Sequence, residues 1–315
     1  MPKSTRILVT GGAGFIGSHV VDALIERGNV VGVLDSLVTG SRENLNPAAE
    51  FYDVDIGDAV ELERVFAAFK PKIVDHHAAQ ISVALSSRDP AADAVANVVG
   101  SLRVLEASRA AGVEHLVFAS TGGALYGNPL LIPADEATTI APLSPYGAAK
   151  ASVETYLRMY HDTYGLSYTA LRYANVFGPR QTPEGEAGVV AIFAARMLKG
   201  DVPVIFGDGE HQRDFVYVGD VARANVEAID RRLQGAYNVG TGVGSSVNDV
   251  TRVLKKACGY QGRVEHLDER LGDVRRVTLD AAKLARETGW QWQVGLAEGL
   301  ALTVTHQKSQ LNRQS

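Results

Sequence analysis

The fold of this chain is decided by one stretch near its amino terminus, Arg6-Ile-Leu-Val-Thr-Gly-Gly-Ala-Gly-Phe-Ile-Gly17-Ser-His-Val-Val21. A short apolar strand breaks into glycines there and continues as the start of a helix. Gly11 allows a tight turn, Gly14 allows the backbone to approach a pyrophosphate, and Gly17 allows the helix to pack against its strand. The amino terminus of the helix then faces the anion. The pattern predicts a phosphate-binding turn.

Glycine-rich turns also join strands to helices for packing reasons alone, so this interpretation needs an acidic partner downstream. Asp35 supplies it, eighteen residues beyond Gly17 and directly after a predicted strand at 30–34. A carboxylate at this position accepts hydrogen bonds from the adenosine ribose hydroxyls and repels a 2′-phosphate. Because Ser36 follows rather than a cation, the sequence predicts NAD as the cofactor. Arg42 is the nearby cation that leaves NADP open as the alternative.

Composition limits the classes of protein to which this chain can belong. Its 315 residues are 46% hydrophobic, which is enough for one large domain or two unequal ones. The net charge of −5 and the scattered Arg and Lys residues predict no nucleic-acid partner. No apolar run approaches the roughly 20 residues that span a bilayer, no signal-peptide core is present, and Cys258 is the single cysteine. We therefore expect a cytoplasmic protein without a membrane partner.

Strands and helices alternate along the first half of the sequence, which is typical of an α/β protein with a doubly wound parallel sheet. Further predicted strands lie at 51–55, 73–76, 115–119 and 169–173. Beyond Tyr173 the alternation fades into glycines, prolines and shorter elements. We therefore expect a Rossmann NAD-binding domain over 1–178, with return segments near 213–242, and a smaller carboxyl-terminal substrate-binding lobe over 179–315.

Two long helices of the first half have apolar residues at helical spacing, and each set is expected to share one face. In the first helix, from Pro90 to about Ala111, the set is Val95, Val98, Val99, Leu102 and Leu105. In the second helix, which Pro145 opens, the set is Ala149, Val153, Tyr156, Leu157 and Tyr160. The last residues of the chain, 308–315, are expected to be frayed.

Candidate catalytic groups stand at the end of one strand and on the helix that follows it. Ser120 and Thr121 end the predicted strand at 115–119, on the edge where ligands of parallel sheets bind. Tyr146 and Lys150 lie one helical turn apart, so both side chains project from one face. A lysine ammonium and the positive nicotinamide ring favour a phenolate, which can take a hydroxyl proton near neutral pH. The alternative is an ordinary amphipathic helix turn.

His76 and His77 do not predict a metal site. Neighbouring residues in a strand point to opposite faces, and no third ligand has metal-like spacing in the sequence. Both histidines are expected to be residues of a strand end.

The motifs taken together resemble those of the extended short-chain dehydrogenase/reductases. In the first half they are Thr10-Gly-Gly-Ala-Gly-Phe-Ile-Gly-Ser-His19, Asp35, Asn97, Leu125-Tyr126-Gly127 and Ser144-Pro-Tyr-Gly-Ala-Ala-Lys150. Downstream stretches are similar to the nucleotide-sugar branch, and specifically to the UDP-glucose 4-epimerases: Leu171-Arg-Tyr-Ala-Asn175, Gly178-Pro-Arg-Gln181, Gln212-Arg-Asp-Phe-Val-Tyr-Val218, Tyr237-Asn-Val-Gly-Thr-Gly242 and Arg270-Leu-Gly-Asp273. The resemblance covers nearly the whole chain.

The resemblance implies two sets of binding residues. NAD would contact Gly11, Gly14, Phe15, Ile16, Gly17, Asp35, Ser36, Asp55, Ile56, Ala78, Ala79, Gln80, Asn97, Tyr146, Lys150 and Tyr173. A UDP-sugar would contact Ser120, Asn175, Gly188, Val189, Phe206, Arg213, Arg270, Asp273 and Val277. Within the second set the arginines would pair with the diphosphate, and their alternative is surface solvation.

The resemblance also implies an activity, with Tyr146, Lys150 and Thr121 as the catalytic residues. The position at which the epimerases usually carry a catalytic hydroxyl falls on Gly122 here, so Thr121 has to substitute, with Ser120 second. The expected reaction is reversible C4 epimerisation of UDP-glucose and UDP-galactose by a homodimer. Its alternatives are an epimerase or reductase for a dTDP-sugar or a UDP-uronate, and a non-catalytic NAD-sensing regulator on the same fold.

Val277 aligns with a pocket-gating position of the epimerases. A valine there leaves space for a 2-acetamido group, so activity on the N-acetylated sugar pair is expected as well. The alternative is that Val277 packs in a strand, where β-branched residues are common.

Overall fold

The computed structural model describes residues 4–183, 188–268 and 274–314, with the side chains of 313 and 314 left aside. Its strands are β1 (Arg6–Thr10), β2 (Val30–Asp35), β3 (Glu50–Asp53), β4 (Ile73–His76), β5 (His115–Thr121), β6 (Ser167–Tyr173), β7 (Asn175–Phe177), β8 (Val204–Phe206), β9 (Gln212–Tyr217), β10 (Gly235–Val239), β11 (Gly244–Ser246), β12 (Glu265–Leu267) and β13 (Arg276–Val277).

The helices of the described residues alternate with these strands. They are α1 (Phe15–Glu26), α2 (Ala59–Phe69), α3 (Val83–Arg88), α4 (Pro90–Ala94), α5 (Gly100–Ala110), α6 (Gly122–Leu125), α7 (Pro145–Tyr164), α8 (Val189–Lys199), α9 (Val218–Arg231), α10 (Val247–Cys258), α11 (Ala282–Thr288) and α12 (Leu296–Gln314). Across the described ranges, none of them is both long and apolar enough to cross a membrane.

The central sheet has seven strands in the order β10-β6-β5-β4-β1-β2-β3, and every neighbouring pair is parallel. Helices cover both of its faces, as an all-parallel sheet requires. One apolar core joins the sheet to α1 and α9, and the other joins it to α2, α5 and α7. The prediction of a doubly wound parallel α/β sheet is confirmed. All seven strands therefore end at one edge.

The glycine turn between β1 and α1 lies against the end of β4. Gly11 has a φ of +70°, and a Cβ there would stand 2.6 Å from the Ala78 amide nitrogen. A Cβ at Gly17 would collide with the Gly11 carbonyl oxygen. The turn is joined to the next strand as well, because the Gly11 amide donates to the Leu34 carbonyl at 2.8 Å. Only glycine fits these two positions without moving the backbone.

The rest of the chain forms a second, smaller group of elements. Strands β11, β9, β13 and β7 make a small sheet, β8 pairs with β12, and α8, α10 and α12 share an apolar core with them. Asp214 of β9 ties this group to the main sheet region, since its carboxylate accepts from the amides of Thr241, Gly242 and Leu279. Helix α12 continues to Gln314, so the predicted fraying from residue 308 is wrong.

The two long helices leave part of their apolar sets exposed on the single chain. A π-helical turn at Val95–Val99 separates α4 from α5, and its wider turn changes the phase of the residues on either side. Val95 and Val99 are consequently exposed, at 58% and 37%, whereas Leu105 is buried. On α7, Tyr156 is likewise exposed, at 37%. These three residues of the predicted apolar sets therefore lie on the surface of the single chain.

The close approach at Gly17 generates a stability prediction. In an open helix position Gly→Ala stabilises by about 1 kcal/mol, but at Gly17 the new methyl meets the Gly11 carbonyl, so we expect Gly17→Ala to destabilise by roughly 1–3 kcal/mol. Urea unfolding measures the change in midpoint. Gly295→Ala is the control, because nothing lies within 4 Å of its Cβ position. Equal midpoints for Gly17→Ala and the parent would contradict the packing described.

Candidate active site

The predicted cofactor site begins with the carboxylate of Asp35, which lies at the end of β2 beside the glycine turn. Its Oδ2 accepts from the Ala13 amide at 2.9 Å and its Oδ1 accepts from the Leu37 amide at 2.8 Å. Helix α1 starts after Gly14 and has no side-chain cap. Its first N–H groups can therefore bind an anion. These features fit a dinucleotide. The glycine turn and the uncapped start of α1 suit its pyrophosphate, and the Asp35 carboxylate suits its ribose hydroxyls.

The other predicted cofactor residues lie around the same edge. Residues 78–80 follow β4 directly, and the Asn97 side chain holds them by donating to the Gln80 carbonyl and accepting from its amide, at 2.9 and 2.8 Å. Ile56 is buried in the core, and Asp55 is exposed and accepts from the Gly57 amide. The Tyr173 hydroxyl donates to Asn225 of α9 at 2.8 Å. Asn97, Ile56 and Tyr173 thus have structural contacts of their own at this edge.

Tyr146 and Lys150 stand on the first turns of α7, at the same edge. The Ser144 hydroxyl caps this helix and Pro145 occupies its first position, which fixes where the helix begins. Lys150 is buried, its Nζ donates to the Ala119 carbonyl at 2.8 Å, and the same nitrogen lies 5.9 Å from the centre of the Tyr146 ring. The buried lysine and the half-buried tyrosine are therefore neighbours.

In the chain without a cofactor, burial dominates the electrostatics of this pair. Burial, with a smaller contribution from the Asp93 carboxylate, raises the pKa of the Tyr146 phenol to about 12. Burial also lowers the pKa of Lys150 to about 8, although Asp93 and Glu154 oppose that change. The expectation that Lys150 and the nicotinamide ring together favour a phenolate concerns the protein with its cofactor bound, and it stays a prediction.

The hydroxyls at the end of β5 have different surroundings. Ser120 is buried and donates to Glu154 Oε1 at 2.5 Å, so its hydroxyl is already committed to a carboxylate. Thr121 is half-buried and its Oγ1 accepts from the Ala124 amide at 3.2 Å, which leaves its proton available. A side chain at Gly122 would collide with Leu279, so that position has no room for a hydroxyl residue.

Thr121 borders the space that the predicted substrate residue Asn175 also borders. A Cβ at Gly123 would lie 3.5 Å from Asn175 Oδ1 and 3.9 Å from Thr121 Oγ1, and Asn175 is exposed. The first turn of α7 is packed against the same segment, since a Cβ at Gly147 would lie 2.6 Å from the Ala124 carbonyl oxygen. Tyr146 is therefore adjacent to the segment that presents Thr121.

The remaining predicted substrate residues are spread over the smaller group of elements. Gly188 precedes α8 and Val189 begins it, while Phe206 ends β8 and is partly exposed. Arg213 lies in β9 and donates to the Gln212 carbonyl at 3.0 Å. Arg270 and Asp273 lie outside the described residues. The helix α8 has no side-chain cap at its amino terminus, as in α1.

Val277 is placed by the structure in a buried apolar cluster. It is 2% exposed, it pairs with Arg213 across β13 and β9, and it packs with Tyr126, Ala134 and Leu279. This placement favours the strand-packing interpretation over the pocket-gating one, because a side chain enclosed by its own chain does not limit what enters a pocket.

Sequence reasoning missed a buried ionic network beneath Thr121. Glu154, one turn beyond Lys150, accepts from Ser120 and forms an ion pair with Arg172 of β6, with Nη2 and Oε2 2.6 Å apart. Arg172 also donates to the Tyr126 hydroxyl at 2.9 Å, and that hydroxyl donates to Asn238 of β10. The i,i+4 spacing of Lys150 and Glu154 was the available signal.

The two histidines have different surroundings: both ring nitrogens of His76 have a hydrogen-bond partner, whereas the buried Nε2 of His77 has none among the described residues. His76 Nδ1 lies 2.6 Å from Thr10 Oγ1 and its Nε2 lies 2.9 Å from Ser101 Oγ, while burial lowers its pKa to about 3. His77 Nε2 lies 3.0 Å from Asp75 Oδ1. Among residues 4–183, 188–268 and 274–314, no group of three or more His, Cys, Asp and Glu side chains is arranged to hold a metal ion.

The buried pair yields a prediction about stability. Arg172→Met leaves the Glu154 carboxylate buried without its cation, and breaking such a pair costs about 3–5 kcal/mol of the free energy of unfolding. Denaturant unfolding measures it. The control is Arg252→Met, which removes an exposed ion pair with Asp249 and should change little. Similar losses in the two variants would contradict the role given to the buried pair.

Comparison with known proteins places the chain among relatives of nearly its own length. The model of the NAD dependent epimerase/dehydratase family matches residues 7–240. The UDP-glucose 4-epimerase of Mycolicibacterium smegmatis is 47% identical over 305 residues, which are 95% of this chain and 97% of that protein.

Solved structures agree with this. A UDP-glucose 4-epimerase of Thermotoga maritima with UDP-glucose has 52% identity and a TM-score of 0.94, covering 97% of this chain and 99% of its own. That of Thermus thermophilus with NAD has 49% identity and a TM-score of 0.93, covering 96% and 99%. A UDP-N-acetylglucosamine 4-epimerase of Methanobrevibacter ruminantium, in complex with UDP-N-acetylmuramic acid, has 37% identity and a TM-score of 0.92, covering 98% and 99%. With the glycine turn, Asp35 and the Tyr146–Lys150 helix all inside the matched region, the chain belongs to the NAD dependent epimerase/dehydratase family.

Proposed function

We propose that this protein is an NAD-dependent enzyme that reversibly inverts C4 of a UDP-hexose, with UDP-glucose and UDP-galactose as its main pair. The observation that carries the proposal is the convergence of Tyr146, Lys150 and Thr121 with the glycine turn at one edge of the sheet. The epimerases of Thermotoga maritima and Thermus thermophilus support it through their identities of 52% and 49%.

The cofactor is proposed to lie along the carboxyl edge of the sheet. Asp35 would accept from the adenosine ribose hydroxyls, and the first N–H groups of α1 would face the pyrophosphate. Gly11, Gly14 and Gly17 give the backbone access to that group. NAD, when bound, supplies the reversible removal and return of the hydrogen at the sugar's C4.

The residues of the chain are proposed to move and hold one proton. Tyr146 takes the proton of the 4-hydroxyl and later returns it, Lys150 supplies a positive charge beside the phenol, and Thr121 donates a hydrogen bond to the sugar oxygen. Asn175, Gly188, Val189, Phe206 and Arg213 are proposed to hold the UDP portion, together with Arg270 and Asp273. We further propose that residues 1–178 form the domain that binds NAD and that residues 179–315 form mainly the lobe that binds the UDP-sugar. Segments near 213–242 would return to the NAD-binding domain.

The residues after Thr121 favour epimerisation over dehydration. Related dehydratases carry an acid after the catalytic hydroxyl, where it assists elimination, but Gly122 and Gly123 offer no side chain. Activity on the N-acetylated pair remains part of the proposal, supported by the relative that is a UDP-N-acetylglucosamine 4-epimerase. Because Val277 is buried in an apolar cluster, it gives no support to activity on the N-acetylated pair.

We also propose that a second copy of the chain covers an apolar surface of α3, α4, α7 and the loops beside them. Helices α3 and α4 both pack against α7. Exposed apolar side chains on these segments are Ile81, Val83, Leu85, Val95, Val99, Leu143, Tyr156 and Met159. An extended patch of this kind marks an interface. Sedimentation velocity at micromolar concentration should give a dimer, and a monomer would remove this part of the proposal.

The proposed reaction is tested with the protein as purified and no added nucleotide. Proton NMR should show the C4 epimers of UDP-glucose and of UDP-N-acetylglucosamine, and no conversion of UDP-glucuronate or dTDP-glucose. Tyr146→Phe should lower turnover by at least about 100-fold while NAD remains bound, since the general base is gone. Tyr156→Phe, on the exposed side of the same helix, is the control. Undiminished turnover in Tyr146→Phe would remove that tyrosine from the mechanism.

A second prediction separates the two neighbouring hydroxyls. Thr121→Val keeps the shape of the side chain and removes both its donor and the acceptor that caps α6, so turnover should fall about 10–100-fold while stability falls only by the loss of a cap, about 1 kcal/mol. Ser120→Ala removes a buried hydrogen bond to Glu154, so it should mainly lower stability. If the two effects are exchanged between the variants, Ser120 and not Thr121 contacts the substrate.

A further inference from the structure

A third ionisable group lies beside the Tyr146–Lys150 pair. Asp93, in α4, is 3% exposed, and its Oδ1 accepts from Gln80 Nε2 at 2.8 Å and from Asn97 Nδ2 at 2.9 Å. Its Oδ2 is buried and accepts no hydrogen bond from any residue that the structure describes. A buried carboxylate with a free oxygen is costly unless a positive charge compensates it.

Lys150, buried on α7 against which α4 packs, is the candidate for that charge, although no ion pair within 4 Å joins it to Asp93. Of the groups that act on Lys150, Asp93 is the carboxylate that most strongly opposes the effect of burial, and Glu154 is second. Asp93 also acts on Tyr146, where it adds to the effect of burial. The charge of Asp93 therefore acts on both members of the pair.

The other ionisable neighbours of Lys150 have partners or are neutral. Glu154, on α7 itself, forms the ion pair with Arg172 of β6. His76, on β4, has a pKa of about 3, so it is uncharged at neutral pH. Within the described part of the chain, Asp93 makes no ion pair at hydrogen-bond distance and holds only two neutral amides. Of the two carboxylates that act on Lys150, Asp93 is thus the one without a cation at ion-pair distance among the described residues.

We propose that Asp93 is the buried counter-charge of the catalytic pair, which keeps Lys150 an ammonium and Tyr146 a neutral phenol until a cationic cofactor is bound. The inference rests on the proposed function where it calls the pair catalytic. The interaction of the Asp93 charge with Lys150 does not depend on that function. Asp93 is a positioning residue, since it acts on the sugar only through Tyr146 and Lys150. The oxidised cofactor's ring would add a positive charge that offsets the carboxylate and so permits phenolate formation.

The alternative role for Asp93 is to orient Gln80 and Asn97 by its two hydrogen bonds. Asp93→Asn separates the two roles, because the new amide keeps an Oδ1 that accepts both bonds and removes the charge. It also places an NH2 group where the unpartnered Oδ2 lies, and Asp93→Ser, which has no such group, controls for that change. Asp89→Asn is the matched control. It removes the same charge next to the same helix, but Asp89 is exposed and asparagine caps a helix equally well.

The first measurement titrates Lys150 directly by NMR of protein labelled with ¹³C at lysine Cε, with the signal assigned by its loss in Lys150→Met. We expect the Lys150 midpoint to fall by roughly one pH unit in Asp93→Asn and to stay in place in Asp89→Asn. Asp93→Ser is measured in parallel and should move it in the same direction. This readout does not depend on any activity, so it stands even if the proposed reaction fails.

The second measurement is the pH profile of turnover. Removing Asp93 lowers the pKa of both Tyr146 and Lys150, so both limbs of the profile should move to lower pH together, whereas a purely structural loss would lower the rate at every pH. An unmoved Lys150 midpoint in folded Asp93→Asn or Asp93→Ser, or an equal movement in Asp89→Asn, would overturn the proposal.

Discussion

The contact on which the rest of the structure depends is the close approach of the glycine turn to the end of β4. Gly11 and Gly17 leave no room for a side chain against Ala78 and against the turn itself, so the ends of β1 and β4 are held together. Because the central sheet is wholly parallel, β5 and β6 end at the same edge. Helix α7, which lies between β5 and β6 in the chain, then brings Tyr146 and Lys150 there. Cofactor turn and catalytic helix are thus placed by one topology.

Desolvation decides the chemistry of this edge. Burial acts against charge on both Tyr146 and Lys150, raising the pKa of the phenol to about 12 and lowering that of the lysine to about 8. The chain alone therefore holds the tyrosine as a neutral phenol at physiological pH. Phenolate formation needs a further positive charge near the ring, and in this family the oxidised cofactor has one. In the proposed mechanism, proton removal is in this way linked to occupancy of the site by the oxidised cofactor.

The sequence was most informative where function rests on local spacing. The glycine turn, Asp35 and the i,i+4 pair Tyr146 and Lys150 could be found because neighbours in sequence are neighbours in space. The parallel sheet followed from the alternation of strands and helices. These elements need no knowledge of distant contacts.

The sequence was least informative where a distant residue decides the environment. Ser120 and Thr121 look equivalent in sequence, and only the folded position of Glu154 shows that the first hydroxyl is already bonded. Val277 is enclosed by residues far away along the chain, and the π-helical turn at 95–99 exposes valines that helical spacing would have buried. Asp93 went unnoticed for the same reason, since its importance depends on α4 packing against α7.

The central claim is that one hydrogen leaves C4 and returns to its opposite face without leaving the protein. The most direct measurement is mass spectrometry with NMR of the UDP-galactose formed from UDP-glucose deuterated at C4, with the protein as purified in ordinary water. The account predicts that the product retains the deuterium at C4. Replacement of that deuterium by solvent hydrogen, or the absence of any galactose epimer, would contradict it.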